Sequence, residues 1–164
     1  MKFMQINQIF ENDLNKLWLD LSSKKRQGVL TKGSNRIYRG CSIGIESKFD
    51  NHKPFILINF KGSINISRFL FNGINLVLSR KNNNSFLTIF PKNKSEYDLF
   101  KKRIPSFFFT DSKELISSSK LLNIFKDMSQ MGDMLLTKVT KMSLSDVIGL
   151  YGELLFLKKQ VNNR

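Results

Sequence analysis

Apolar residues fall at helical spacing near the start of the chain: Leu14, Leu17, Trp18 and Leu21 occupy i, i+3, i+4 and i+7, the pattern that lines one helical face. This predicts an opening helix over about 12–23, with Asn12 or Asp13 as its cap. The polar run Ser22-Ser23-Lys24-Lys25-Arg26-Gln27-Gly28 then reads as a helix stop and loop. From about 36 to 90 the period changes to two: Cys41, Ile43 and Ile45 alternate with Ser42, Gly44 and Glu46, and Phe55 to Phe60 forms a denser β-favouring run. Ile74, Leu76 and Leu78 alternate again, and Lys81-Asn82-Asn83-Asn84 separates them from Phe86 to Phe90 as a hairpin turn does. The middle of the chain is expected to be an antiparallel sheet of about 4–6 strands.

After Pro91 the strand signal stops. Ser95-Glu96-Tyr97-Asp98-Leu99-Phe100 opens a helix with acids in its first turn and Lys101, Lys102 and Arg103 later, matching the helix dipole, and Pro105 ends or kinks it. A second helix is expected over 112–130, on Leu115, Ile116, Leu121, Leu122, Ile124 and Phe125, with the start blurred by Ser117-Ser118-Ser119. A third, capped by Ser143 or Ser145, runs to about 160 on a stripe of Leu144, Val147, Ile148, Tyr151, Leu154 and Leu155. Glu153 lies opposite that stripe, yet Leu150 and Leu157 flank it, so this helix is apolar nearly all round and needs cover on two faces. Gly149 and Gly152 within it point to close approach of another element, because each costs about 1 kcal/mol relative to alanine.

These elements give an α+β class in one unit spanning 1–164: helix plus antiparallel sheet over 1–91, and a helical part over 92–164. The 164 residues suffice for one real core. No run approaches the length of a membrane span, and the start shows no signal peptide, so a soluble cytoplasmic protein without a membrane partner is expected.

Charge changes the picture. Twenty-seven basic against thirteen acidic residues leave +14, which favours polyanions such as nucleic acid. Residues 51–110 hold ten Lys or Arg against only Glu96 and Asp98, a local +8. The chain has no alanine and is rich in Lys, Asn and Ile, a bias of AT-rich coding that inflates lysine but does not remove Asp and Glu. Lys24, Lys25, Arg26, Lys92, Lys94, Lys101, Lys102 and Arg103 are the candidate nucleic-acid contacts.

Other chemistry is narrowed by scarcity. Cys41 is the only cysteine, which excludes an intramolecular disulfide or a Cys-based zinc cluster and reads as a small buried hydrophobe. His52 is the only histidine and is expected in a polar turn beside Asn51 and Lys53, a poor setting for a catalytic triad. Asp111-Ser112-Lys113 has Asp-x-Lys spacing, but between helices and without an upstream strand aspartate.

The segment Gly149-Leu150-Tyr151-Gly152-Glu153-Leu154-Leu155-Phe156-Leu157 resembles the GL-x-GELLFL signature of the PD-(D/E)XK motif proteins, a bacterial family associated with restriction and defence. Looser agreement runs through Leu17-Trp18, Phe55 to Phe60, Asn72-Gly73-Ile74 and Leu99-Phe100, nearly the whole chain. The resemblance implies that Glu153 is the acid on the first helix of a restriction-endonuclease-like core, one ligand of a Mg²⁺ site that activates water on a phosphodiester. Family members continue into strands that carry an Asp and a Glu/Asp-x-Lys pair, whereas this sequence stops at Arg164.

The expectation is therefore the N-terminal portion of a restriction-type DNA endonuclease: it contacts DNA, is catalytically incomplete as covered, and takes Mg²⁺ only when the catalytic half is present. That half, a partner chain or a second copy would pack across Leu150, Phe156 and Leu157. The alternative is a non-enzymatic protein-interaction or assembly module of a bacterial defence system. A weaker third reading is an inhibitor that mimics half a nuclease.

Overall fold

The computed structural model describes residues 2–24, 26–48, 51–111 and 113–130. Helix α1 (Lys2–Ser23) opens the chain. Five antiparallel strands follow: β1 (Gly28–Lys32), β2 (Cys41–Lys48), β3 (Asn51–Phe60), β4 (Ile74–Lys81) and β5 (Asn84–Pro91), in the order β1-β2-β3-β5-β4. A 3₁₀ turn (Lys94–Glu96), α2 (Tyr97–Arg103), a second 3₁₀ stretch (Ile104–Phe108) and α3 (Ser118–Gln130) complete the described residues. The class is α+β, as expected, with the strand count inside the expected range. The third helix expected over about 143–160 falls outside the described residues.

Strand alternation sorts the sheet into two faces. Ile43 pairs with Ile56 and Ile56 with Ile89; Cys41 pairs with Ile58 and Ile58 with Leu87. These residues form the floor of the core, and the helices lie on that side. From α1 come Phe10, Leu14, Trp18 and Leu21; from α2 and its 3₁₀ extension, Phe100, Ile104 and Phe108; from α3, Leu121, Ile124, Phe125 and Met128. Fully burying one such side chain contributes about 1.5–3 kcal/mol, so this single cluster is the main stabilising term.

Turns and loops fit the same frame. Asn82 and Asn83 take φ of 49° and 63°, the left-handed pair that a two-residue hairpin requires and that asparagine tolerates best among non-glycine residues. The loop from Lys61 to Gly73 carries the chain past β5 to the edge position of β4, and Phe69 and Phe71 pin it by packing on Phe125, with centroids 5.3 and 6.1 Å away. Gly40 sits at φ 95°, and a Cβ there would meet the carbonyl oxygen of Asn59 at 2.5 Å, so the entry to β2 needs glycine for both reasons.

Several expectations are corrected. The opening helix starts at Lys2 rather than near 12, so Asn12 and Asp13 are interior positions and not caps. Phe10, two residues before the expected start, packs edge-on against Phe109 at 4.9 Å and belongs to the core, which anchors this earlier part of the helix. Gly28 closes no loop but begins β1, whose Leu30 pairs with Ile45. His52 is not in a turn: it lies in β3, half-buried and paired with Ser47. Leu115 and Ile116 precede α3, held by the Arg39 N–H bond to the carbonyl of Glu114 at 2.9 Å and the Ile116 N–H bond to that of Arg39 at 3.2 Å.

Candidate nucleic-acid interface

Two helix ends meet at the candidate site. Trp18, on the buried stripe of α1, donates its indole N–H to the main-chain oxygen of Lys101 at 3.3 Å, which ties the second half of α1 to the last turn of α2. Beside this bond runs a groove of about 370 Å³ lined by Asn15, Leu19 and Ser22 from α1 and by Asp98, Lys101 and Lys102 from α2. Lys24 and Arg26 follow Ser22 immediately, both exposed. Helix α2 thus carries cations in its last turn, where the dipole favours them, and Lys24 and Arg26 lie just past the end of α1.

Acids offset only part of this charge. Asp98 contacts Lys101 at 3.1 Å, i to i+3, but is 89% exposed, so the pair is worth at most a few tenths of a kcal/mol. Asp20 is shared: it bonds Lys32 and lies 4.0 Å from Lys24. The hydrogen bond from Lys32, then its charge and that of Lys24, hold the Asp20 carboxyl below the ordinary carboxylate range. Glu96 is absent from the surface, being 6% exposed, and its carboxylate accepts the Asn93 N–H at 3.3 Å to cap the turn before α2. The acid count over 51–110 therefore overstates the negative charge that a ligand would meet.

The remaining candidates lie elsewhere. Lys92 and Lys94 are exposed ahead of α2, Lys94 in the 3₁₀ turn and Lys92 between that turn and β5. Lys92 donates its ammonium to the Phe71 carbonyl at 2.9 Å, so it also serves to fasten the 61–73 loop. Arg103 is exposed at the end of α2. Lys25 and Glu153, like Leu150, Phe156 and Leu157 and the middle residue of Asp111-Ser112-Lys113, lie outside the described residues. The fold thus sets Lys101 and Lys102 beside Ser22, just before Lys24 and Arg26 in the chain, with Arg103 ending α2, and leaves Lys92 and Lys94 as a second group ahead of that helix.

Sequence reasoning counted Lys53 and Lys81 in the basic 51–110 stretch but missed the face they share with Lys48. Lys48, Lys53 and Lys81 share, by strand alternation, the sheet face that the described helices leave open. The signal was available in the dense run Phe55 to Phe60, apolar on both sides, which needs something to meet each face.

Other reactive groups are quiet. Cys41 is buried, as expected, and burial pushes its thiol up to about 12. The Nδ1 of His52 is buried without a hydrogen-bond partner among the described residues. Among the described residues no three His, Cys, Asp or Glu side chains come together as a metal site needs, and no helix is long and apolar enough to cross a membrane. Searches against protein-family models, curated proteins and solved structures find no match to this chain.

Proposed function

We propose that this chain is the DNA-engaging portion of a restriction-type nuclease, gripping the phosphate backbone without reading sequence. The observation that carries the reading is the local charge: all ten Lys and Arg of 51–110 are exposed or half-exposed, while one of the two acids in that segment is buried. Cations clustered at helix ends displace condensed counterions from DNA, and mobile lysine stems accommodate phosphates in any register.

The nuclease part of the reading rests on the resemblance of 149–157 to the GL-x-GELLFL signature. One carboxylate, Glu153, does not make a Mg²⁺ site, and the described residues contribute no acidic cluster to complete it. No catalytic step is assigned to this chain. Role assignment in a defence system, and a catalytic half or second copy across Leu150, Phe156 and Leu157, belong to the same proposal.

The test replaces Lys101, Lys102 and Arg103 together by glutamine, which keeps the side-chain stems and leaves the Trp18 bond to the Lys101 main chain in place. Duplex affinity is expected to fall at least tenfold at 50 mM salt, an order of magnitude typical for three lost phosphate contacts. Unchanged affinity, or no duplex binding by the parent protein, overturns the reading. Leu19 and Leu70, 70% and 94% exposed, favour the assembly-module alternative, which predicts that Leu70→Ser abolishes a protein contact while DNA binding persists.

A further inference from the structure

Among the described residues the helical layer covers one face of the sheet only. On the other face the register aligns Leu57, Thr88 and Val77 in one row and Asn59, Phe86 and Ser79 in the next. Phe55 and Phe90 line a groove of about 360 Å³ there, together with Leu57 and Lys53. None of these apolar residues belongs to the core cluster or packs against it. Gly44 stands across from Phe55 in β2, and the Phe55 ring occupies the space a Cβ at Gly44 would need. Leu57, Phe86 and Phe90 are half-buried, and Val77 is 49% exposed.

Charge narrows what fits this surface. Among the described strand residues Lys48, Lys53 and Lys81 rise from the same face against Glu46 alone, and the Lys53 ammonium rests 4.0 Å from the centre of the Phe90 ring. An occupant must be flat and apolar toward the rings and anionic toward the lysines. A second copy of the chain would set the same lysines against one another, and an apolar helix would leave them without partners. A DNA duplex offers phosphates but keeps its bases stacked inside. An unpaired strand offers both: bases that stack on aromatic rings and phosphates for the ammonium groups.

We infer that the open face of the β-sheet, centred on Phe86 and Phe90 with Lys53 between strand and phosphate, binds single-stranded nucleic acid. The inference deepens the polyanion reading and rests on it: Lys48, Lys53 and Lys81 hold the backbone, and the rings take the bases. On binding, the Lys53 ammonium exchanges the Phe90 ring for a phosphate.

The experiment measures fluorescence anisotropy of the full chain with a labelled oligothymidine and with a duplex of equal length at one salt concentration. The parent protein is expected to prefer the single strand. Phe86→Leu with Phe90→Leu keeps apolar bulk but removes the rings, and is expected to weaken oligothymidine binding about tenfold or more with duplex affinity unchanged; Phe90→Trp alone is expected to retain it. Equal affinity for both ligands, or a leucine variant that binds oligothymidine as the parent does, overturns the inference and leaves duplex binding standing. A leucine variant with a lowered melting temperature and unaltered oligothymidine affinity shows the face to be covered by protein and also overturns it. Binding of neither ligand by the parent defeats both this inference and the broader reading.

Discussion

The two faces of the sheet are built from the same five strands and differ in almost everything else. Ile43, Ile45, Ile56, Ile58, Leu87 and Ile89 on the helix side are at most 2% exposed, branched or Leu side chains that fill space against Phe100, Ile104 and Trp18. On the open side, a ring lies over a glycine, a lysine over a ring, and threonine, asparagine and serine separate the apolar residues. The closed face holds the fold by burial; among the described residues the open one is partly apolar outside the main cluster, a combination expected of a surface with a use.

The largest effect is expected on the closed face. Ile58→Ala or Leu87→Ala, both at 0% exposure, should cost about 2–5 kcal/mol in urea unfolding. Gly44→Ala comes next: its Cβ collides with the Phe55 ring, and overpacking of this kind costs about 1–3 kcal/mol. Phe55→Leu in the same chain should recover part of that loss, which would show the ring to be the obstacle. Cys41 sharpens the contrast through pH. Its thiol ionises near 12 in the folded chain against 9.0 in a free one, so the unfolded state loses its proton first as pH rises; this stabilising contribution is whole below about pH 9 and is lost between there and pH 12. Ellman's reagent at pH 8 should therefore label Cys41 only after denaturant is added. The smallest effect belongs to Val77→Thr on the open face, expected within about 0.5 kcal/mol of the parent. A large loss there would mean that the open face is as structural as the closed one.

Legibility in the sequence followed the strength of the local signal. The Asn82-Asn83 turn and the strands on either side were readable because turn chemistry and alternation agree at those residues. The α2 region was readable because acids, bases and Pro105 fall in helix order. The first ten residues of α1 were not read as helix, although Phe3, Ile6 and Phe10 continue the spacing of Leu14; the packing partner of Phe10, Phe109, is remote in sequence. β1 was hidden by its shortness and edge position, and Asn51-His52-Lys53 looked like a turn because polar residues at the far end of a long hairpin carry no alternation. Of the site, the basic residues were visible one by one, but their division into two groups depends on how α1 and α2 are joined by Trp18. The open face required the register of four strands, which composition does not contain.

The central claim is that exposed cations bind nucleic-acid phosphates. Its most direct measurement is the duplex dissociation constant of the parent chain across 50–200 mM salt, compared with the glutamine variant at Lys101, Lys102 and Arg103. The account predicts a linear fall of log affinity with log salt, and a slope shallower in the variant by about 2–3, close to 0.9 for each phosphate contact removed. A parent affinity indifferent to salt, or a variant with the parent's slope, would contradict it.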